Sequence, residues 1–408
     1  MVHDADILIV GGGLNGSALA LALAPAGLTV CVVDALAEPP RRDAAFDGRA
    51  YALAHASTRL LDVLGLWDDV VAQAQPIHEV KACDGRPGGR VAPFFLHFQD
   101  AEIEEAPMGH MLEDRYLRRA LLDAMARTPG ITHRAGETVT GQEIDAHGAT
   151  VTLSGNETLT ARLLVGCDGR ASATAARAGI RRTGWGYGQT ALVCAVTHEH
   201  AHDGIAHQVF FPGGPLAILP LPGRRSSIVW SEDATRAQGI AALDDDAFIA
   251  TLRPRFGSFL GEIALSGQRY SYPLSLSLAR EYVAPRLALV GDAAHGIHPL
   301  AGQGLNLGLR DVGALAQVIV EAARRGEDFA RLDVLERYQR WRRFDTTTLA
   351  LGMDAMNRLF SNDNPALRLG RDLGMAAVQA LPGLRRRFIR EAAGLTGDMP
   401  RMLQGRAI

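Results

Sequence analysis

The chain has 408 residues, of which 47% are hydrophobic and 21% charged, and its formal net charge at pH 7 is −3. This length predicts more than one packing unit, and the composition is ordinary for a globular protein. The small negative charge gives no indication of a nucleic-acid-binding protein.

The rare residue types exclude several kinds of chemistry. Lys81 is the only lysine, so catalysis through a lysine adduct has one candidate. There are four cysteines, and none has C-x-x-C spacing. We therefore predict neither a disulfide framework nor a zinc site, and a reducing compartment fits the chain. The N-terminus lacks the basic region of a signal peptide, and Pro25 and Gly27 interrupt the longest apolar stretch, so we expect a cytoplasmic protein without a transmembrane helix.

A βαβ unit is predicted at the N-terminus. Residues 5–10 form an apolar run typical of a buried parallel strand, 14–24 an alanine-rich helix, and 29–33 a second strand. Gly11, Gly13 and Gly16 fit the G-x-G-x-x-G pattern between the first strand and the helix. Such a loop lets a pyrophosphate approach the helix N-terminus, and Asp34 follows the second strand, where an acid binds ribose hydroxyls. The pattern predicts a dinucleotide site but does not separate FAD from NAD.

In the middle of the chain, the predicted elements change from an α/β pattern to one that is rich in strands. After a loop and an amphipathic helix over 47–70, we predict a strand over 90–98, a helix over 115–127, and strands over 150–153 and 161–165. The last of these precedes Asp168 and Gly169, which suit either a nucleotide loop or an ordinary turn. Residues 189–230 are rich in strand patterns and predict a separate sheet.

A second candidate site follows the predicted strand over 287–290. Asp292 lies just beyond that strand, and ligands of doubly wound sheets bind beyond the carboxyl ends of strands. Gly302, Gln303 and Gly304 precede a helix predicted from Leu305, whose positive end would stabilise a reduced, anionic flavin. The alternative is a glycine-rich connection without a ligand. His295 and His298 have no metal-ligand spacing and are interpreted as structural. From residue 311 onwards the pattern is almost wholly helical.

The order of these three motifs resembles the group A FAD-dependent aromatic hydroxylases of para-hydroxybenzoate hydroxylase type. Stretches such as "HMLEDRYLRRALL", "FFPGGPLAILPLP" and "NRLFSNDNPALRLGRDLGM" are most similar to the ubiquinone-biosynthesis hydroxylases of that group. The resemblance implies an α/β (α+β) fold with a Rossmann-type FAD domain, an inserted β-sheet substrate domain and C-terminal helices. The expected limits are 1–75, 100–183 and 271–325 for the FAD domain, 76–99 and 184–270 for the substrate domain, and 326–408 for the helices.

The same resemblance implies non-covalent FAD, with NADPH or NADH and O2 as co-substrates. No acid–base catalyst and no metal are implied; Pro299, Gly302, Gln303 and Gly304 would position the flavin. The implied FAD-binding residues are Gly11, Gly13, Leu14, Asn15, Gly16, Asp34, Arg49, Arg115, Val139, Asp168, Gly169, Gly291, Asp292, Gly304, Leu305 and Asn306.

Three positions depart from the family pattern. Asp34 stands where the family usually has glutamate, Asp114 where it often has asparagine, and Ala175 where an arginine is usual, with Arg177 close by. The predicted reaction is hydroxylation of the aromatic ring of a polyprenylated phenol in ubiquinone biosynthesis through a C4a-hydroperoxyflavin. The expected substrate pocket contains Trp185, Phe210, Phe211 and Leu219, with Tyr187 and Pro212; each could instead be plain core.

Several alternatives remain open at this stage. A flavin monooxygenase acting on a small soluble aromatic fits the same motifs. A halogenase lacks its W-x-W-x-I-P signature here, an NAD-dependent dehydrogenase leaves the Asp292 motif unexplained, and a non-enzymatic flavin-fold scaffold would not consume NADPH.

The segment "LPGLRRRFIREAAG" places Leu381, Leu384 and Phe388 at helical spacing among arginines. This pattern suits a helix on an anionic membrane surface, on the inner face of the cytoplasmic membrane. It also suits a helix packed on the FAD domain, or a surface for a partner in a quinone-biosynthesis complex.

Overall fold

The computed structural model describes residues 3–37, 46, 48–86, 90–103, 107–298, 302–361 and 364–408. The strands in chain order are β1 (Ala5–Val10), β2 (Val30–Asp34), β3 (Ala50–Ala54), β4 (Gln75–Ile77), β5 (Glu79–Arg86), β6 (Arg90–Gln99), β7 (Gly109–Glu113), β8 (Ile131–Ala135), β9 (Val139–Ile144), β10 (Ala149–Leu153), β11 (Thr158–Gly166), β12 (Arg182–His198), β13 (Ile205–Phe211), β14 (Gly214–Leu221), β15 (Arg225–Asp233), β16 (Ile263–Ala279), β17 (Val283–Ala284), β18 (Leu287–Leu289) and β19 (His295–Gly296).

Helices separate and cover these strands. They are α1 (Leu14–Leu23), α2 (His55–Val63), α3 (Trp67–Val70), α4 (Asp114–Arg127), α5 (Ala173–Arg177), α6 (Ala234–Ala241), α7 (Asp245–Phe256), α8 (Gln303–Arg324), α9 (Leu332–Phe360), α10 (Pro365–Ala380) and α11 (Pro382–Ala392).

The first eight-stranded sheet holds the predicted βαβ unit. Its main path is β17-β18-β11-β1-β2-β8, and β18, β11, β1, β2 and β8 run parallel. Ile7, Leu8 and Ile9 of β1 are buried because helices cover both faces of a parallel sheet. Since neighbouring parallel strands end at the same edge, the loops after β1, β11 and β18 meet there. These are the loops that carry the three motifs.

The second eight-stranded sheet has the order β19-β16-β12-β15-β14-β13-β5-β6. Its strands are antiparallel except where β13 pairs with β5. One face packs against α6 and α7 in a core that contains Trp230 and Phe248. The sequence therefore correctly predicts a second sheet in this region. The expected domain limits at 183/184 and 270/271 fall inside the long strands β12 and β16, and the division into domains stays a prediction.

Several predicted elements are confirmed, but strands such as β3, β8 and β9 are not among those that the sequence predicts. The predicted strand over 5–10 is β1, and the helix predicted over 115–127 begins one residue earlier, at Asp114. The segment before the helix at 55 is not only a loop, because β3 (Ala50–Ala54) pairs with β7 in a three-stranded sheet. Its sequence, AYALA, has no β-branched residue and no alternation of polar and apolar residues, so only the pairing with a distant strand identifies it.

Candidate active site

One cavity of about 1280 Å³ links the motif loops to the second sheet and the C-terminal helices. We call the part lined by Gly13, Asn15, Arg170, Asp292 and Gly302 the polar end. The apolar end is lined by β-strand side chains such as Val193, Phe210 and Leu219 and by residues of α9, α10 and α11. The lining of this one cavity therefore has two chemically different parts.

The glycines of the first loop have separate structural roles. Gly11 has φ +102°, and a Cβ there would lie 2.5 Å from the Cys167 carbonyl oxygen. A Cβ at Gly16 would lie 1.9 Å from the Gly11 carbonyl oxygen, so this position keeps α1 close to its loop. By contrast, a Cβ at Gly13 would meet nothing within 4 Å, and Gly13 lines the cavity. This is the open approach to a helix N-terminus that a pyrophosphate requires.

Asn15 supplies an unsatisfied polar atom at the polar end. Its Oδ1 is buried and has no hydrogen-bond partner among the described residues. Its amide lies against Gly291 and Gly308, where a Cβ at either position would be 2.3 Å from Asn15 Nδ2. A buried acceptor without a partner is costly unless a ligand or water satisfies it. The site therefore fits a ligand with hydroxyl or N–H groups, as FAD has.

Asp168 and Asp292 each follow a strand, but their carboxylates have different partners. Asp168 accepts hydrogen bonds from the Ser172 hydroxyl at 2.5 Å and from the Thr174 N–H at 2.9 Å, so both carboxylate oxygens hold their own loop. Asp292 lines the cavity with 40% of its side chain exposed, and its carboxylate lies 3.6 Å from Arg170 Nε. Asp292 is therefore available to a ligand, and the neighbouring arginine adds a cationic group.

A buried ion network supports the Asp292 turn from behind. The carboxylate of Asp311, fully buried, accepts the Gly291 N–H at 3.0 Å and the Arg342 Nε–H at 2.9 Å, and lies 2.5 Å from His295 Nε2. Burial raises the pKa of Asp311, but the attraction of His295 and Arg342 outweighs it and leaves the pKa below its usual value. His295 is thus a structural residue, as predicted, and the network fixes the turn that presents Asp292.

The glycine loop before α8 completes the polar end. Gly302 has φ +64° and caps α8, which has no acidic residue in its first turn and no side-chain cap. The helix N-terminus is therefore positive and faces the cavity through Gln303, Gly304 and Leu305, which line it. Asn306 lines the cavity as well, and its side chain bonds to β3 and Ser57, so it ties α8 to the three-stranded sheet. Pro299 lies outside the described residues.

Arg49 enters the cavity next to a compact charge cluster. Arg49 lies 3.6 Å from Asp114, whose carboxylate also accepts from Arg118 at 2.7 Å and from the Tyr51 hydroxyl at 2.9 Å. Asp114 is 2% exposed. The Asp114 carboxylate is thus neutralised by two arginines, Arg49 and Arg118, and both of them line the cavity.

Some predicted cofactor residues lie away from the cavity lining. Arg115 donates to the buried Glu113 at 2.7 Å, and the Val139 carbonyl accepts from Arg177 at 2.6 Å. Asp34 is buried at the end of β2 and accepts the Leu36 N–H at 2.9 Å. Their contacts with FAD stay predictions.

Two of the four residues expected in the substrate pocket line the apolar end of the cavity. Phe210 and Leu219 line it, but Phe211 packs on the opposite face of the second sheet because successive side chains of a strand alternate. Trp185 is 37% exposed and donates to Asp354 at 3.0 Å, and it does not line the cavity. Sequence reasoning missed Val193, Ala217 and Val229, which line the cavity at alternating or cross-strand positions. That alternation was the available signal.

The described residues contain neither a candidate metal cluster nor a helix that could span a membrane. No group of three or more His, Cys, Asp or Glu side chains in these ranges is placed to hold a metal ion. In the same part of the chain, no helix is both long and apolar enough to cross a membrane.

A parallel sheet with glycine loops at its carboxyl edge, joined by one cavity to an antiparallel sheet, defines an FAD-dependent aromatic hydroxylase fold. The chain belongs to the family described as FAD binding domain, whose model matches residues 4–348. The p-nitrophenol 4-monooxygenase of Pseudomonas putida has a similar structure, with a TM-score of 0.80, 20% identity, and coverage of 97% of this chain and 99% of that one.

Two relatives place the chain more narrowly. It is 46% identical to a ubiquinone hydroxylase of Rhodospirillum rubrum over 98% of this chain and 93% of that protein. It is 37% identical to the 3-demethoxyubiquinol 3-hydroxylase of Escherichia coli over 96% of this chain and 98% of that protein. The resemblance to the ubiquinone-biosynthesis hydroxylases is confirmed.

Proposed function

We propose that this protein is an FAD-dependent monooxygenase that hydroxylates the aromatic ring of a polyprenylated phenol in ubiquinone biosynthesis, with NAD(P)H and O2 as co-substrates. The observation that carries this function is the high identity to ubiquinone hydroxylases over nearly the whole chain. The cavity supports it, because a polar end suited to FAD continues into an apolar end suited to a lipophilic ring.

The chain's own contribution is binding, orientation and exclusion of water. Gly13 leaves room for the pyrophosphate, and Asn15 and Asp292 offer acceptors to the hydroxyl-rich part of FAD. The N-terminus of α8 stabilises negative charge on the ring system. When bound, FAD supplies the redox and oxygen chemistry. The apolar end positions the ring carbon and keeps water from the reaction.

A membrane surface is the proposed place where the enzyme meets its substrate. Leu381, Leu384 and Phe388 of the α11 region are 54%, 37% and 47% exposed. Arg386 and Arg387 are exposed beside them, whereas Arg385 is held by Glu102 at 2.6 Å. Exposed apolar side chains flanked by arginines suit an anionic lipid surface, and this arrangement supports peripheral binding better than a stripe buried against the FAD domain.

Purified protein tests the function directly. The FAD-loaded enzyme is mixed with a prenylated phenol, and product is identified by mass spectrometry with NADPH or NADH and O2, supplied together or singly. We expect ring hydroxylation only with both co-substrates, and we expect it to survive chelators. A small soluble phenol serves as the comparison substrate. If it is hydroxylated as efficiently as the prenylated phenol, the soluble-aromatic alternative replaces the proposed function.

The cellular form of the test uses a quinone-producing host. Deleting the gene that encodes this protein in such a host should leave a prenylated phenol that lacks one ring hydroxyl, because the proposed enzyme is the one that adds it. Normal ubiquinone without any accumulated precursor would contradict the proposal.

A further inference from the structure

We call the part of the apolar end around Phe210 and Leu219 the ring pocket, and the cavity continues past it to a rim on the helices α9, α10 and α11. Met356 and Leu359 of α9, Gly370 and Gly374 of α10, and Phe388 of α11 all line it. The three large side chains of this set are also exposed, by 44%, 39% and 47% respectively. The rim is therefore one place where the apolar end of the cavity meets the outside of the molecule.

We infer that this rim, defined by Met356, Leu359, Gly370, Gly374 and Phe388, is the portal through which the isoprenoid tail of the ring substrate leaves the cavity. We further infer that Gly370 and Gly374 set the width of the portal. The inference rests on the proposed function, because it needs a ring substrate that carries a long apolar tail.

The two glycines open one face of α10. They are separated by one helical turn, so they lie on the same side of the helix. A Cβ at either position would meet nothing within 4 Å, so packing does not require glycine at these sites. Glycine inside a helix costs about 1 kcal/mol relative to alanine. Glycine at these two positions leaves space along the cavity wall that a larger side chain would fill.

A buried ion pair keeps α10 in place. Arg371, between the two glycines, is 4% exposed and donates to both oxygens of Asp84 on β5, at 3.1 and 3.0 Å. It also donates to the Leu359 carbonyl at 2.7 Å. These bonds fix α10 to the second sheet and to the end of α9, so the gap beside the glycines is held by rigid contacts. The charge of Arg371 is compensated, which leaves the passage suitable for a hydrocarbon.

The passage is continuous with the ring pocket, and this indicates that the tail attached to the ring occupies it. Phe210 of the ring pocket packs on Phe360, the last residue of α9, with ring centroids 4.3 Å apart. Phe360, Met375 and Val378 line the passage from there towards the rim. A chain attached to the ring can therefore follow an unbroken apolar wall outward. A second protein docking on the rim would not need the cavity behind it.

The experiment measures tail discrimination in Gly370→Leu, Gly374→Leu and the double variant. Gly352→Leu is the matched control, because Gly352 is a glycine of α9 with open space at its Cβ that does not line the cavity. Each FAD-loaded protein is assayed with the same phenol carrying either one prenyl unit or a long polyprenyl tail. Binding of both phenols is also measured from the change in flavin fluorescence, which does not depend on turnover.

We expect the ratio of kcat/KM for the long-tailed to the short-tailed phenol to fall about tenfold or more in each portal variant, the scale of a steric change in an apolar pocket. The affinity ratio should fall in parallel, while Gly352→Leu keeps both ratios. Melting temperatures should be equal to or above that of the parent protein, since leucine favours a helix over glycine.

If the double variant keeps the kcat/KM ratio and the affinity ratio of the parent protein, the proposal that the rim is a portal is wrong. A change of oligomeric state in place of a change in tail discrimination would also overturn it, since the rim would then be a protein interface. If the parent protein hydroxylates neither phenol, the proposed function fails, whereas the fluorescence ratios still decide whether the tail uses this passage.

Discussion

The polar and apolar ends of the cavity are built in different ways. The polar end comes from three loops at one sheet edge, with an unpaired amide oxygen on Asn15, an accessible carboxylate on Asp292 and a positive helix end. At the apolar end, the ionic groups that reach the wall, such as Arg371, are already compensated by protein partners. A buried acceptor without a partner among the described residues and an accessible carboxylate therefore mark the cofactor part, whereas a mainly apolar wall with an ion-paired arginine marks the substrate part.

Filling the polar end should have the largest effect. Gly13→Trp should abolish FAD binding, because a Cβ at this position meets nothing within 4 Å and the indole beyond it would occupy the open space beside the helix N-terminus. FAD titration of the apoprotein, followed by flavin fluorescence, measures this. Gly239→Trp on α6, where a Cβ also meets nothing within 4 Å, is the control. A yellow, FAD-saturated Gly13→Trp protein would contradict the assignment of this end.

Asp292→Ala tests whether the accessible carboxylate of Asp292 contributes to FAD binding. We expect FAD binding to weaken by about 2–3 kcal/mol, the scale of a lost charge-assisted hydrogen bond. The matched variant is Asp168→Ala, whose carboxylate holds Ser172 and the N-terminus of α5. It should lower the free energy of unfolding of the apoprotein by about 1 kcal/mol, as losing a helix cap does, and change FAD affinity less. Equal effects of both variants on FAD affinity would remove the distinction between the two aspartates.

The two ends also differ in how much the sequence reveals. The polar end is local: a strand, a glycine loop and a helix start follow one another, so Gly13, Asp292 and Gly304 are predictable. The hydrogen-bond donors to Asp168 also lie close to it in the sequence, but the sequence does not reveal them, because their positions depend on the short helix α5. The apolar end combines strands and helices far apart in the chain. Gly370 carries no sequence signal, since its role depends on the cavity behind it.

Acidification should destabilise the loop that follows Asp292. His298 is 1% exposed, and burial lowers its pKa from 6.5 to about 4. Between these values the unfolded chain binds more protons, so His298's contribution to stability is complete above pH 6.5 and is lost as the pH falls towards 4. His298→Gln should reduce the pH dependence of the unfolding free energy by about 1.4 kcal/mol per pH unit in this window.

Urea unfolding at a series of pH values from 7 to 4.5 measures that slope. His147→Gln, in an exposed turn, is the control and should leave the slope unchanged. A parent protein whose slope equals that of His298→Gln would show that the imidazole is not held neutral by burial.

The smallest expected effect concerns the outer side of the apolar end, where α11 would meet lipid. Arg387→Gln should weaken binding to anionic vesicles by about 1 kcal/mol at low salt, because one arginine near a charged bilayer contributes about that much. Flotation of the FAD-loaded protein with phosphatidylglycerol vesicles measures the bound fraction. Arg119→Gln on α4, also an exposed arginine, is the control and should not change flotation. The effect should disappear in high salt, since screening removes the attraction of exposed charges. Equal losses of flotation in both variants would mean that the net charge of the protein, and not the surface around Phe388, governs binding to the vesicles. If the parent protein does not float, the portal does not open at a membrane surface.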